Sequence, residues 1–236
     1  MSPPPSQVAA IQLRLDEVRA RVAAACSRAG RDPAGVAILP VSKAVGVDTL
    51  RAAQLAGLDV FAENRVQEAE AKAAALPAVR WELVGHLQSN KAARAVGLFS
   101  AIHSVDSVEL ARRLNGLLHD AGRPALPVYV QVNVDRDPHK SGMLPEQLEV
   151  GLPELAELSG LELRGLMTVG RLTVNAEQAR STFAALRVLR DRLAPHHPFL
   201  GRGLSMGMSD DFEVAVEEGA TVVRVGRALF GDRLAG

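Results

Sequence analysis

The stretch that decides the fold is residues 127–134, Pro-Val-Tyr-Val-Gln-Val-Asn-Val. Side chains alternate along an extended strand, so Val128, Val130, Val132 and Val134 share one face and Tyr129, Gln131 and Asn133 the other. An unbroken valine face suits packing beneath helices, which turns the polar face inward. Outward from this run, similar Val-, Ile- and Leu-rich segments recur. The expected strands are Val36–Lys43, Val60–Asn64, Trp81–His86, Ala101–Asp106, Pro127–Val134, Leu161–Val169, Gly203–Gly207 and Thr221–Gly226. Helices are expected between them, near 47–57, 65–76, 89–97, 107–122, 145–158, 175–194 and 209–218. Ser107, and Asn175 with Gln178 three residues later, are helix starts; Gly57 and Gly219 are stops.

Strand–helix alternation at this spacing argues for parallel strands joined by crossover helices. Eight units is the number that closes a (β/α)8 barrel of the TIM type. A doubly wound open sheet is the alternative, but eight successive units without a composition break favour closure. An additional N-terminal helix precedes the barrel. Ser6 offers its cap, Val8, Ile11, Leu15, Val18 and Val22 form one apolar stripe, and Gly30 stops it. Residues 1–5 are expected to be a disordered Pro-rich start, and 6–236 a single α/β barrel domain. Pro40, inside the first strand, removes one ladder hydrogen bond.

Composition narrows the function. The 236 residues carry 27 basic and 27 acidic side chains, so the formal charge is zero and the long-range field of a nucleic-acid or membrane-surface binder is missing. Eight aromatic residues are too few for base-stacking platforms. No apolar run approaches the roughly 18 residues of a membrane span, and the start lacks the regions of a secretory signal. Lone Cys26 cannot form an internal disulfide, which fits a reducing compartment. The expectation is a cytoplasmic protein that acts on, or carries, something small.

In such a barrel the active end is the C-terminal end of the strands. Lysine usage singles out one residue there. Against 23 arginines the chain has four lysines, Lys43, Lys72, Lys91 and Lys140. Arginine stays charged, whereas a lysine amine can lose its proton and form an imine. Lys72 reads as a solvated mid-helix residue, Lys91 as the start of a helix and Lys140 as a loop residue. Only Lys43 ends an apolar strand, on the inward face of Ala37, Leu39 and Val41. Position alone weighs a reactive lysine and a merely paired one equally.

Two further stretches face that lysine. Ser205, Gly207 and Ser209 supply hydroxyls and accessible N–H groups at the end of the seventh strand. Arg224 and Gly226 end the eighth, where a guanidinium can fork onto phosphate oxygens. The loops after strands seven and eight are the habitual phosphate seat of these barrels. An imine-forming lysine opposite a phosphate seat is the geometry of a pyridoxal phosphate site. A Schiff-base aldolase would use the same parts, typically with its lysine on a later strand. His86, at a strand end, is either a ligand contact or a satisfied mouth histidine. No histidine or cysteine spacing matches a metal site.

The chain also resembles the pyridoxal phosphate homeostasis protein family. The resemblance runs in order through Val41-Ser-Lys43, Phe61-Ala-Glu-Asn64 with Val66-Gln-Glu68, Gly85-His-Leu-Gln-Ser-Asn-Lys91 and His103-Ser-Val-Asp106. It continues through Lys140-Ser-Gly142, Arg164-Gly-Leu-Met167, Leu204-Ser-Met-Gly-Met-Ser-Asp-Asp211 and Val223-Arg-Val-Gly226. It implies a fold-type III barrel like the N-terminal domain of alanine racemase, with the cofactor carried on Lys43 as a Schiff base. Asn64 and Met167 would line the ring, and Ser205, Ser209, Arg224 and Gly226 would lie around the phosphate. The implied role is vitamin B6 and amino-acid homeostasis. Recipients would be apo-enzymes that depend on the cofactor, with no nucleic-acid or membrane partner and the chain a monomer or weak dimer. Two positions depart from the family pattern: Ala-Val-Gly follows Lys43, and Arg65 follows Asn64.

Independently of the resemblance, the residues argue against an enzyme. Racemisation needs a second acid/base on the ring face opposite the lysine. In alanine racemase a tyrosine from an extra C-terminal domain supplies it. Here no such domain is expected after the eighth strand, and the only tyrosine, Tyr129, lies within the fifth. His86 is the remaining substitute, so a weak racemase or related pyridoxal enzyme is the alternative to a carrier without catalytic residues.

Overall fold

The computed structural model describes residues 3–170 and 175–231. All eight expected strands form in order: β1 Ala37–Pro40, β2 Val60–Glu63, β3 Arg80–Leu83, β4 Ala101–Val105, β5 Leu126–Gln131, β6 Leu161–Met167, β7 Gly203–Met208 and β8 Val222–Val225. Every ladder is parallel, in the spatial order β1-β8-β7-β6-β5-β4-β3-β2. A single bridge, Val41 to Ala62, brings β1 round to β2 and completes a barrel of the TIM type.

That seam is the thinnest, and Pro40 accounts for it. Ala37 and Val41 donate their N–H groups towards β8, to Thr221 and Val225, and Ser42 donates towards β2, to Ala62. The alternation aims position 40 at β2, where proline has no hydrogen to give. Pairing with β2 therefore waits until Val41 and Ser42.

The helices are α1 Pro5–Arg28, α2 Val47–Leu55, α3 Val66–Ala75, α4 Ala92–Leu98, α5 Val108–Asp120, α6 Pro145–Ala156, α7 Arg180–Leu193, α8 Phe212–Glu217 and α9 Arg227–Phe230. α1 begins at Pro5, with Pro4 as its boundary and no Ser6 cap. A proline in the first turn is cheap there because that N–H has no helical partner anyway. Ile11, Leu15, Val18 and Val22 are buried and Val8 partly so, as the stripe requires. Each fully buried aliphatic side chain contributes about 1.5–3 kcal/mol. α5 starts on Ser107, whose Oγ accepts the Leu110 N–H at 3.1 Å.

Val128, Val130 and Val132 face the helices, and Tyr129 turns inward to stack on His103 with 4.4 Å between centroids. The barrel lumen is two-sided. Leu39, Val41, Ala62 and Val84 form an apolar half along β1, β2 and the end of β3. The other half carries Glu82, His103, Tyr129, Ser205 and Arg224, linked to one another by hydrogen bonds or ring stacking.

Candidate functional site

Lys43 sits on a turn just past β1, exposed at the C-terminal end of the barrel. The Val45 N–H closes the turn onto the Ser42 carbonyl at 2.9 Å, and Ala44 lies in the left-handed region with φ 60°. Glycine or asparagine normally fills such a position. A residue with a Cβ pays about 1–2 kcal/mol there, so the turn is held by its surroundings.

Below the mouth, Arg224 is 4% exposed. Its Nη1 donates to the Ser205 carbonyl at 2.7 Å and to Ser205 Oγ at 2.9 Å, and Nη2 donates to the Thr168 carbonyl at 2.8 Å. Ser205 Oγ lies 2.8 Å from His103 Nδ1, and His103 Nε2 lies 2.9 Å from Glu82 Oε2. A carboxylate only accepts, so Nε2 carries the proton and Nδ1 accepts from the Ser205 hydroxyl. Every donor in this chain points away from Arg224 and towards Glu82. Burial lowers the His103 pKa, outweighing the pull of Glu82. Burial also lowers Arg224, to about 10, against the opposing charge of Asp211. Arg224 remains a cation at neutral pH. Asp211 is itself raised, mainly by burial, although its carboxylate accepts the Met208 N–H at 2.6 Å.

The residues expected around a phosphate therefore divide into two levels. Ser205 and Arg224 lie in the lumen wall, with the guanidinium reaching across β7 to the end of β6. Ser209 and Gly226 lie at the rim, where Ser209 Oγ accepts from the N–H groups of both Gly226 and Ala228 at 3.3 Å. A Cβ at position 226 would sit 3.2 Å from the Val41 carbonyl, so glycine lets this rim close against the end of β1.

On the far side, His86 Nδ1 is 2.8 Å from Asp106 Oδ2, with the imidazole half exposed and the carboxylate nearly covered. Asn64, half-buried, follows β2; Gly85 packs so closely that a Cβ there would meet the Asn64 carbonyl at 2.2 Å. Met167 is buried at the end of β6. Gln131 and Asn133, from the polar face of β5, bind the carbonyls of Ser141, Asp137 and Lys140, so they organise the loop after β5.

The alanine racemase N-terminal domain family matches residues 13–234. Proteins named pyridoxal phosphate homeostasis protein are 44% identical in Pseudomonas aeruginosa over 221 residues, 92% of this chain and 93% of that one. The Aquifex aeolicus protein of that name is 40% identical over 228 residues, 93% of this chain and 97% of its own. This chain belongs to the pyridoxal phosphate homeostasis protein family. PipY of Synechococcus elongatus, solved with PLP bound, superposes with a TM-score of 0.82 at 40% identity, over 94% of this family member and all of PipY. Alanine racemase of Clostridium difficile, with a TM-score of 0.69 and 18% identity, shares the fold; the match covers 85% of this chain and 53% of the racemase.

One part of this family member's site was misread from sequence. Lys72 is not a solvated mid-helix residue: it is 9% exposed, forms an ion pair with the fully buried Glu63, and donates to the Ser42 carbonyl at 2.7 Å. The helical period does place it on the face of buried Val66 and Ala69, which was the available signal. Glu82 and His103 were missed as well. Glu82 alternates with the outward Trp81 and Leu83, so strand parity alone directs it into the lumen.

Proposed function

We propose that this chain binds pyridoxal 5'-phosphate, holds it as a Schiff base on Lys43, and serves intracellular cofactor and amino-acid homeostasis without robust turnover. The observation that carries this reading is Lys43 on its pinned turn at the barrel mouth. Lys72 and Lys140 spend their ammonium groups on Glu63 and Asp135, and Lys91 bounds α4. Lys43 makes no ion pair or side-chain hydrogen bond with any described residue. The donor set fits the cofactor: a free amine for its aldehyde, a hydroxyl and converging N–H groups for its phosphate, and a buried cation beneath. The bound group supplies an aldehyde that condenses with amines and a ring that withdraws electrons.

The chain's own residues divide the work. Ser209 and Gly226 seat the phosphate at the rim, and the Arg224 charge attracts it from below while Ser205 fixes the guanidinium. Asn64 and Met167 flank the ring, and His86 stands at the edge. Residues 6–236 act as one domain in the cytoplasm, as a monomer or weak dimer, with apo-enzymes as recipients. Among the described residues no helix is long and apolar enough to cross a membrane.

The proton inventory of the described residues supports a reading without robust turnover. Tyr129 is stacked on His103 and packs against Gly203, the first residue of β7, so it lies towards the N-terminal end of the barrel. His103 is sealed between Ser205 and Glu82. One observation favours the alternative, a weak amino-acid racemase: Asp106 orients the His86 imidazole at the mouth, as a general base requires. The deciding experiment is the absorption spectrum with pyridoxal phosphate, then borohydride reduction and peptide mapping. A visible band with the adduct on Lys43 is expected; no band returns the aldolase reading.

A further inference from the structure

The Lys72–Glu63 pair has no role in the chemistry above, and it is placed where Lys43 begins. Glu63 ends β2 with its side chain fully buried. One carboxylate oxygen receives the Lys72 ammonium and the Ser42 hydroxyl, the latter at 2.7 Å, and the other receives the Asn64 N–H at 3.2 Å. The same ammonium donates to the Ser42 carbonyl, which also accepts the Val45 N–H. Ser42 is thereby held at its N–H, carbonyl and hydroxyl, and the peptide leading into Lys43 cannot rotate without breaking a charged contact. The pair also crosses the weak β1–β2 seam that Pro40 leaves.

A buried ion pair is poor evidence of stabilisation, because well-packed apolar residues of similar volume commonly do as well. What apolar residues cannot do is hold a carbonyl in a set direction. We propose that Lys72 and Glu63 are positioning residues: through Ser42 they keep the strained turn closed and fix the point from which the Lys43 amine reaches its carbonyl ligand. The inference rests on the function proposed for Lys43. It explains why an exposed lysine next to a left-handed alanine is held in one place.

The test replaces the pair with apolar residues, Lys72→Met with Glu63→Leu, in the full chain. Ser42 keeps Val45 and Ala62 as partners; the Asn64 N–H loses the Glu63 carboxylate, and with that single bond lost the thermal midpoint should stay within a few degrees of the parent. Two other readouts should move. The Val45 amide should exchange with deuterium at least tenfold faster relative to core amides. Bound pyridoxal phosphate should transfer to semicarbazide at least tenfold faster. An unchanged transfer rate in a folded variant overturns the inference. Should the double variant fail to fold, Ser42→Ala decides: it removes the hydroxyl link to the carboxylate while leaving the ion pair and the Lys72 bond to the carbonyl, and it must still accelerate transfer, by less than the double variant; an unchanged rate overturns the inference. No linkage at Lys43 in the unaltered chain removes the proposed function as well, an outcome distinct from unchanged kinetics in the variant.

Discussion

His103 and Ser205, 102 residues apart in the chain, share a 2.8 Å hydrogen bond inside the barrel whose proton belongs to the serine. Glu82 on the other side of the imidazole fixes that direction. The result is a buried neutral ring standing between a cation and an anion, and it has a pH signature. An unfolded histidine titrates near 6.5, whereas burial lowers the value for His103 in the folded chain. Below about pH 6.5 the unfolded state takes up protons at this position more readily than the folded state, so stability falls as pH falls. The contribution is complete above that pH and is lost at no more than about 1.4 kcal/mol per pH unit. His103→Gln should flatten the dependence of the urea midpoint between about pH 6.5 and 5. Parallel slopes for parent and variant would place the titration elsewhere.

Lys43→Ala should abolish the borohydride-trappable adduct with pyridoxal phosphate and leave the fold intact, since the side chain is exposed and has no ion pair or side-chain hydrogen bond among the described residues. Circular dichroism checks the fold and mass spectrometry the adduct. A reduced adduct on Lys72, Lys91 or Lys140 would refute the assignment.

Arg224→Gln should weaken pyridoxal phosphate more than pyridoxal, because a cation in the lumen wall attracts a dianion at the rim. Loss of a charge-assisted interaction costs on the order of 1.5–3 kcal/mol, roughly tenfold to a hundredfold in affinity. Titration of both ligands by absorbance measures it. Equal losses would put the guanidinium under the ring instead.

Ala44→Gly should raise stability by about 0.5 kcal/mol, the relief of left-handed strain minus the extra freedom glycine gives the unfolded chain. The thermal midpoint would rise by a degree or two at this chain length, on the order of 2–4 °C per kcal/mol. A fall would show that the methyl group packs usefully.

The loaded protein should not racemise or transaminate common amino acids at an enzyme's rate. Proton exchange at the α-carbon in deuterated water, with chiral analysis, is the measurement. Sustained racemisation at or above about 1 per second, the low end of ordinary turnover, would sink the carrier reading and make His86→Ala the next variant.

The barrel was legible because its periodicities are clean. The valines of β5 and the stripe of α1 leave little choice of face, and Gly57 and Gly219 stop their helices with φ of 91° and 101°. Pro40, an apparent blemish in the sequence, marks a real gap in the wall. Lys43, Ser209 and Gly226 could be read as candidates because they follow strand ends, where position narrows the choice. Lys72 could not, since a lysine on a short helix is ordinarily solvated; its burial depends on Glu63, nine residues earlier, which reads in sequence as one more surface acid. His103 and Glu82 lie on neighbouring strands, and only the parallel register of β3 and β4 brings them together.

Pro40 has one more consequence. A closed tube of strands ordinarily has no preferred place to part, yet this one has a parting line, crossed by one backbone bridge and by side chains, and it runs up to Lys43. A chain under tension would open along β1 and β2 first, because there the wall is fastened by one backbone bridge while every other pair of neighbouring strands shares a ladder.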